Sequence, residues 1–199
     1  MGAVYDFEKE KLVIGVIYHD PAVLEAAMSD LVAEFGEWDM VSEEFSFSGE
    51  YSTYYDEELG GEGLRRIYSF ERLVDPDRQV EIKEFTNELE KRYSGDTGRH
   101  INLDPGFMSH GRFMLATTKN ASFRIPLGRG IYTEMTLFYA RGKWQKLIWT
   151  YRDYQSERVQ KFLEKVRKKY LGQRANPSVS KTDSSPCTEE PGDAYATEA

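Results

Sequence analysis

Between Arg99 and Tyr154 the chain carries a run of side chains of the kinds that bind small molecules and move protons. Asn102, Asp104, Thr117, Thr118, Lys119, Arg124, Glu134, Thr136, Trp149, Tyr151 and Asp153 all fall there. Asp104 and Glu134 are the carboxylates that could act as general base or acid, if a cleft brings a substrate to them. Lys119 and Arg124 could bind an anionic group, with Glu134 orienting it. Asn102 lies in a short strand, where a buried amide needs partners. Tyr55 and Trp149 could form an aromatic rim on which a ring stacks. Structural roles compete for two of these positions. Asp104 precedes Pro105 as Asp20 precedes Pro21 and Asp75 precedes Pro76, so it could simply cap a helix. Arg124 and Glu134 fall on strands expected to be neighbours and could be a cross-strand ion pair.

Several chemistries lack the residues they need. There is no GxxxxGK[ST] loop to cradle phosphates, and Gly128-Arg129-Gly130 lacks the third glycine of a dinucleotide fingerprint. The histidines, His19, His100 and His110, have no metal-ligand spacing. Folding could still bring His19 near His100. Asp56-Glu57-Glu58 reads as a solvated acidic loop ahead of a magnesium site. No serine sits in a GxSxG elbow, and the single cysteine, Cys187, is close to the C-terminus. One cysteine cannot form an intramolecular disulfide, which makes a cytoplasmic location the expectation.

The elements that would position these groups read off the hydrophobic pattern. Leu12 to Tyr18 is a continuous β-prone run, expected as a buried strand. Asp20-Pro21 then starts a helix whose apolar positions run from Val23 to Phe35, ended by Gly36. A mixed strand region spans Trp38 to Phe47, and a polar connection leads to a strand over Leu64 to Leu73. Asp75-Pro76 opens a second helix, striped by Ile82, Phe85, Leu89 and Tyr93. A short strand follows at His100 to Leu103. The third Asp-Pro then predicts an added helix through about Thr118. Strands are expected at 123–127, 131–139 and 144–151, with a hairpin turn at Ala140 to Lys143. Strict alternation on the middle one would put Ile131, Thr133, Met135 and Leu137 on one face. A final helix covers 156–172, with Val159, Phe162, Leu163, Val166 and Tyr170 as its apolar stripe. Its many lysines and arginines read first as a solvated face.

Strand, helix, strand, strand, helix, strand is the order of a ferredoxin-like βαββαβ core. The fold class expected is therefore α+β: that core, an added helix, a β-hairpin extension and a C-terminal helix. Residues 1–172 would form a single domain. Residues 173–199 are rich in Pro, Ser, Thr and acids, and are expected to be a disordered acidic tail. The 199 residues carry a formal net charge of -8, of which the tail supplies -3. That balance argues against nucleic acid and anionic membranes as partners. The apolar run at the N-terminus is too short to span a membrane, and Asp6 breaks the Met-Gly myristoylation pattern.

The chain resembles an uncharacterised bacterial family, domain of unknown function 4416. The matching residues are Lys11 to Ile17, Tyr54-Tyr55 and the acids after it, Phe85 to Glu90, Asn102 to Gly106 and Leu115 to Lys119. They continue through Arg124-Ile125, Gly130 to Tyr132 with Glu134, Thr136-Leu137, Trp149 to Tyr151 and Asp153-Tyr154. The resemblance covers about residues 10–172. The family pattern has His where this chain has Phe123, and Pro where it has Arg152. The resemblance implies which residues matter and carries no reaction or cofactor with it. The functional expectation is a domain that binds, and could process, a small anionic ligand such as a nucleotide or phosphorylated metabolite. Asp104 and Glu134 would be the catalytic pair, with Asn102, Lys119, Arg124, Tyr55 and Trp149 as binding residues and no metal. The alternative is a non-catalytic module that binds a protein partner through an open sheet face or the basic last helix.

Overall fold

The first strand, β1 (Glu10–Tyr18), is buried at every residue. Leu12, Ile14, Val16 and Tyr18 enter one apolar layer and Val13 enters the other. A strand covered on both faces reads as a continuous apolar run, and this one does. In the computed structural model, which describes residues 2–96 and 98–175, β1 is an inner strand of a nine-stranded sheet, paired on both edges.

Helix α1 (Pro21–Phe35) follows at once. The Asp20 carboxylate accepts from the Ala22 N–H at 2.8 Å, and Gly36, at φ 84°, closes the helix. Next come β2 (Trp38–Val41), β3 (Phe45–Ser46) and the single-turn helices α2 (Phe47–Glu50) and α3 (Asp56–Leu59). Strand β4 (Leu64–Val74) leads into α4 (Gln79–Arg92). Asp75-Pro76 opens only a 3-10 turn, in which Asp75 makes no side-chain cap. A two-strand hairpin, β5 (Ser94–Gly95) with β6 (Gly98–Arg99), precedes β7 (Ile101–Met108). The remaining elements are β8 (Arg112–Thr117), β9 (Ile125–Gly128), β10 (Ile131–Ala140), β11 (Lys143–Lys146) and α5 (Glu157–Ala175). The sheet order is β11-β10-β8-β7-β1-β4-β2, with β3 on β4 and β9 on β10, and its neighbours pair antiparallel. Helices α1 and α4 pack on one face and α5 on the other. The molecule is thus a mixed α+β fold on a mostly antiparallel sheet. No helix among the described residues is long and apolar enough to cross a membrane.

Four expectations change. The added helix after Asp104-Pro105 is absent: residues 101–117 form the β7–β8 hairpin. The residues there alternate between layers. Leu103, Phe107 and Ala116 face α1 and α4, while Met108, Phe113 and Leu115 face α5. Asp104 therefore lies within a strand and caps nothing. Pro105, which has no N–H to donate, stands where pairing with β8 stops, since the pairing begins at Gly106. Gly106 is required there, because a Cβ would meet the Phe113 ring at 2.5 Å. Second, β10 does not alternate strictly. A bulge between Met135 and Leu137 turns the strand over, so Ile131 joins the α1/α4 layer and Leu137 the α5 layer. Third, the strand expected over 144–151 ends at Lys146 and gives way to turns. Fourth, helix α5 runs to Ala175, past the expected stop at Gly172. Residues 176–199, with Cys187 and nearly all of the expected tail, lie outside the described residues.

Candidate functional site

Strands β7 and β8 pair only from Gly106 and Leu115 toward the hairpin turn. Beyond that point they splay, and a cleft of about 690 Å³ opens between the first half of β7, the end of β8 and the start of β10. Two side chains of α4 replace the missing β8 ladder. Lys83 Nζ donates to the Leu103 carbonyl at 2.9 Å, and the Leu103 N–H donates to Glu90 Oε1 at 2.6 Å. A backbone left open in the middle of a sheet would otherwise bury an unpaired donor and acceptor.

Arg65 of β4 forms the floor. Its side chain is 2% exposed and donates to Asp104 Oδ2 and to the Tyr154 hydroxyl, both at 3.0 Å. It also pairs with Asp153 Oδ2 at 3.2 Å. The guanidinium lies across the sheet because position 15, beside Asp104 in the register, is glycine. A Cβ there would meet Arg65 Nη2 at 2.5 Å. Burial would push the Asp104 carboxyl up, but the charges of Arg65 and Lys83 outweigh it and hold Asp104 below the usual carboxylate range. At Asp153, which is 4% exposed, burial outweighs Arg65 and the carboxyl is raised. Burial also raises the Tyr154 hydroxyl.

Glu134 of β10 stands on the opposite wall, 1% exposed. Its Oε2 accepts from Arg124 Nε at 2.7 Å, while Oε1 has no partner among the described residues. Burial raises this carboxyl in spite of Arg124. Arg124 also donates to the Lys119 carbonyl and to the Tyr151 hydroxyl, each at 2.7 Å. The Tyr151 hydroxyl is pushed up to about 12, chiefly by burial and then by Glu134. Arg99, at the other end of the cleft, pairs with Glu58 at 2.8 Å and Glu90 at 2.7 Å and lies 5.4 Å over the Tyr55 ring. Asn102, 3% exposed on β7, has no partner for its Nδ2 among the described residues.

Five of the seven residues singled out from sequence line this cleft: Tyr55, Asn102, Asp104, Lys119 and Glu134. Arg124 stands behind Glu134 and holds it. Trp149 stacks on Phe123, with centroids 4.8 Å apart and planes at 8°, and donates to the Met135 carbonyl at 2.9 Å. It is part of the scaffold of β10 and does not line the cleft. Sequence reasoning missed Arg65, Lys83, Glu90 and Arg99. Arg65 and Lys83 look like ordinary surface cations in the chain, and only the fold buries them. The one available signal for Arg65 is its place in a strand otherwise rich in apolar residues. His19 and His100 do sit at adjoining strand ends, next to the Tyr18–Ile101 pair. Each packs on its own neighbour, His19 against Gly61 and His100 against Gly95. Among the described residues no group of three or more His, Cys, Asp or Glu side chains is arranged to hold a metal.

No curated protein matches this chain, and no solved structure does. A family model does match, over residues 8–170, which span the whole sheet and most of α5. The cleft, its floor and both its walls fall inside that match, and the chain belongs to the family described as domain of unknown function DUF4416.

Proposed function

We propose that the cleft binds a small anionic ligand and exchanges a proton with it. The observation that carries this reading is a set of three buried polar atoms of cleft residues that have no partner among the described residues: Asn102 Nδ2, Glu134 Oε1 and Arg65 Nε. Buried polar atoms are nearly always satisfied, and exceptions concentrate where a ligand completes them. The two carboxylates on the walls support the chemistry. Asp104 is held ionised by Arg65 and Lys83, while burial moves Glu134 toward its neutral form. Carboxyl groups pushed apart in this way suit the roles of base and acid. The order β2-β4-β1-β7, with α1 and α4 on one face, supports reading that half of the sheet as a ferredoxin-like unit. A lone cysteine supports a cytoplasmic setting.

A protein-binding module has less support. Helix α5 covers the sheet face such a module would use. Arg158, Lys161, Arg167, Lys169 and Arg174 are all engaged with groups of this chain. The test is a thermal-shift screen against nucleotides, phosphorylated metabolites and organic acids. A ligand at a hundred times its Kd should stabilise by about 2.7 kcal/mol. Loss of the shift in Asn102→Ala and in Glu134→Gln supports the cleft. A blank across the panel rejects it.

A further inference from the structure

We propose that the anion this cleft accepts is a monocarboxylate, seated where α4 meets β7 by Lys83 and Asn102. The inference rests on the ligand-binding reading above and narrows it to one chemical class.

Six cations line the cleft, facing six carboxylates. Arg65 is committed to Asp104 and Asp153, Arg99 to Glu58 and Glu90, Lys91 to Glu88 and Arg129 to Glu84. Lys119 is exposed at the rim, its ammonium 5.2 Å from the centre of the Tyr54 ring. Lys83 differs from all of these. It is 6% exposed, and among the described residues its ammonium makes a single hydrogen bond, to the Leu103 carbonyl. Among the described residues it forms no ion pair. An ammonium has three N–H donors, so two remain for a ligand. Asn102, one residue before Leu103, adds the unpartnered Nδ2 amide. Together they offer donors and one positive charge, which is what an oxyanion requires.

Charge then selects among oxyanions. Asp104, Asp153, Glu90 and Glu134 line the same cavity. A carboxylate brings one charge, which Lys83 matches. A phosphate monoester brings close to two at neutral pH, and the second would face these carboxylates with little water to screen it. On the far wall, the free Oε1 of Glu134 can accept from a hydroxyl on the same ligand. A hydroxy-monocarboxylate therefore satisfies the atoms on both walls.

The experiment is calorimetry on the full chain at fixed ionic strength. Glycolate, lactate and pyruvate are titrated beside inorganic phosphate and glycerol phosphate. We expect saturable binding of a monocarboxylate and none of the phosphates. Lys83→Met should weaken that binding at least about tenfold, the worth of one charge-assisted hydrogen bond. Asn102→Asp keeps the side-chain shape, sets a like charge beside the ligand and should do the same, which guards against misfolding of the Lys83 variant. Binding of the phosphates in place of the carboxylates overturns this inference and leaves the cleft reading standing. Carboxylate binding that both variants leave intact overturns the seat. Failure of every anion, here and in the wider screen, overturns both.

Discussion

Asp104 and Asp153 both lean on one guanidinium that favours their charged forms, yet they shift in opposite directions, because burial outweighs Arg65 at Asp153 alone. Asp104 is held below its ordinary pKa, so its ionised form stabilises the fold. That contribution is fully present above the unfolded value of about 3.9 and is lost as pH falls through the lower folded value. Asp153 and Glu134 are raised by burial. Their contribution is present at low pH and is lost as pH rises through their folded values. Asp104→Asn should therefore be less stable than the wild type at neutral pH by about 1–3 kcal/mol. The gap should shrink as pH falls below ~4, where the unfolded chain's carboxyl takes up a proton before the folded one does. Denaturant titrations at pH 7 and at pH 3 measure both gaps, and equal gaps would mean that the charge of Asp104 contributes nothing. Arg65 explains why position 15 is glycine, since any Cβ there would push the guanidinium off its three partners. The polar residues of this floor could be named from sequence only in part. Asp104 and Asp153 stood out as carboxylates, whereas an arginine inside a strand carries no local mark of burial.

At the scale of elements, the outer edge of β10 is shared. Strand β9 pairs with residues 131–133 and β11 with residues 137–140, which leaves a gap between them. The turn after β11 fills it with side chains. Trp149 Nε1 donates to the Met135 carbonyl, and Thr150 Oγ1 donates to the Thr136 carbonyl at 2.6 Å. Thr150 Oγ1 also accepts from the Leu147 N–H at 2.8 Å. Thr150→Val keeps the shape and removes both bonds, and should cost about 1–3 kcal/mol. A midpoint in urea equal to the wild type's would show that water takes the place of the hydroxyl. This arrangement also explains why the strand expected through Tyr151 stops early. Trp149 and Thr150 are β-prone by type, but here they serve as side-chain substitutes for a strand. The three Asp-Pro pairs make the same point. Asp20 caps α1, Asp75 opens a 3-10 turn, and Asp104 lies in a strand. A cap requires free N–H groups downstream, and whether they are free depends on what pairs with the segment.

The whole molecule consists of two apolar layers separated by one sheet, and α5 supplies one of the layers. Leu163 of α5 is fully buried, so Leu163→Ala should cost about 2–5 kcal/mol. Its effect should appear as a lower Tm and faster amide exchange in α5. A change below about 1 kcal/mol would mean that the layer collapses around the gap, as the best-adapting sites do. The far end of α5 is tied back to the sheet through Lys11, whose buried ammonium bonds Asp39 and, at 2.8 Å, Gln173. Much of this architecture was legible in the chain. Beta-prone and helical periodicities located β1, α1, β4, α4, β10 and α5, because burial of one face or two leaves a period of two or 3.6 in the residues. Asn102, Asp104 and Glu134 were also legible as candidates, because polar groups in strands need partners, and Lys119 and Tyr55 by their charge and ring. Tertiary structure alone decided that residues 106–117 pair as strands, that β10 turns over at its bulge, and that Arg65, Lys83 and Asn102 meet in one cleft. Those outcomes depend on which segment lies beside which, and contacts between residues dozens of positions apart leave no period in the sequence.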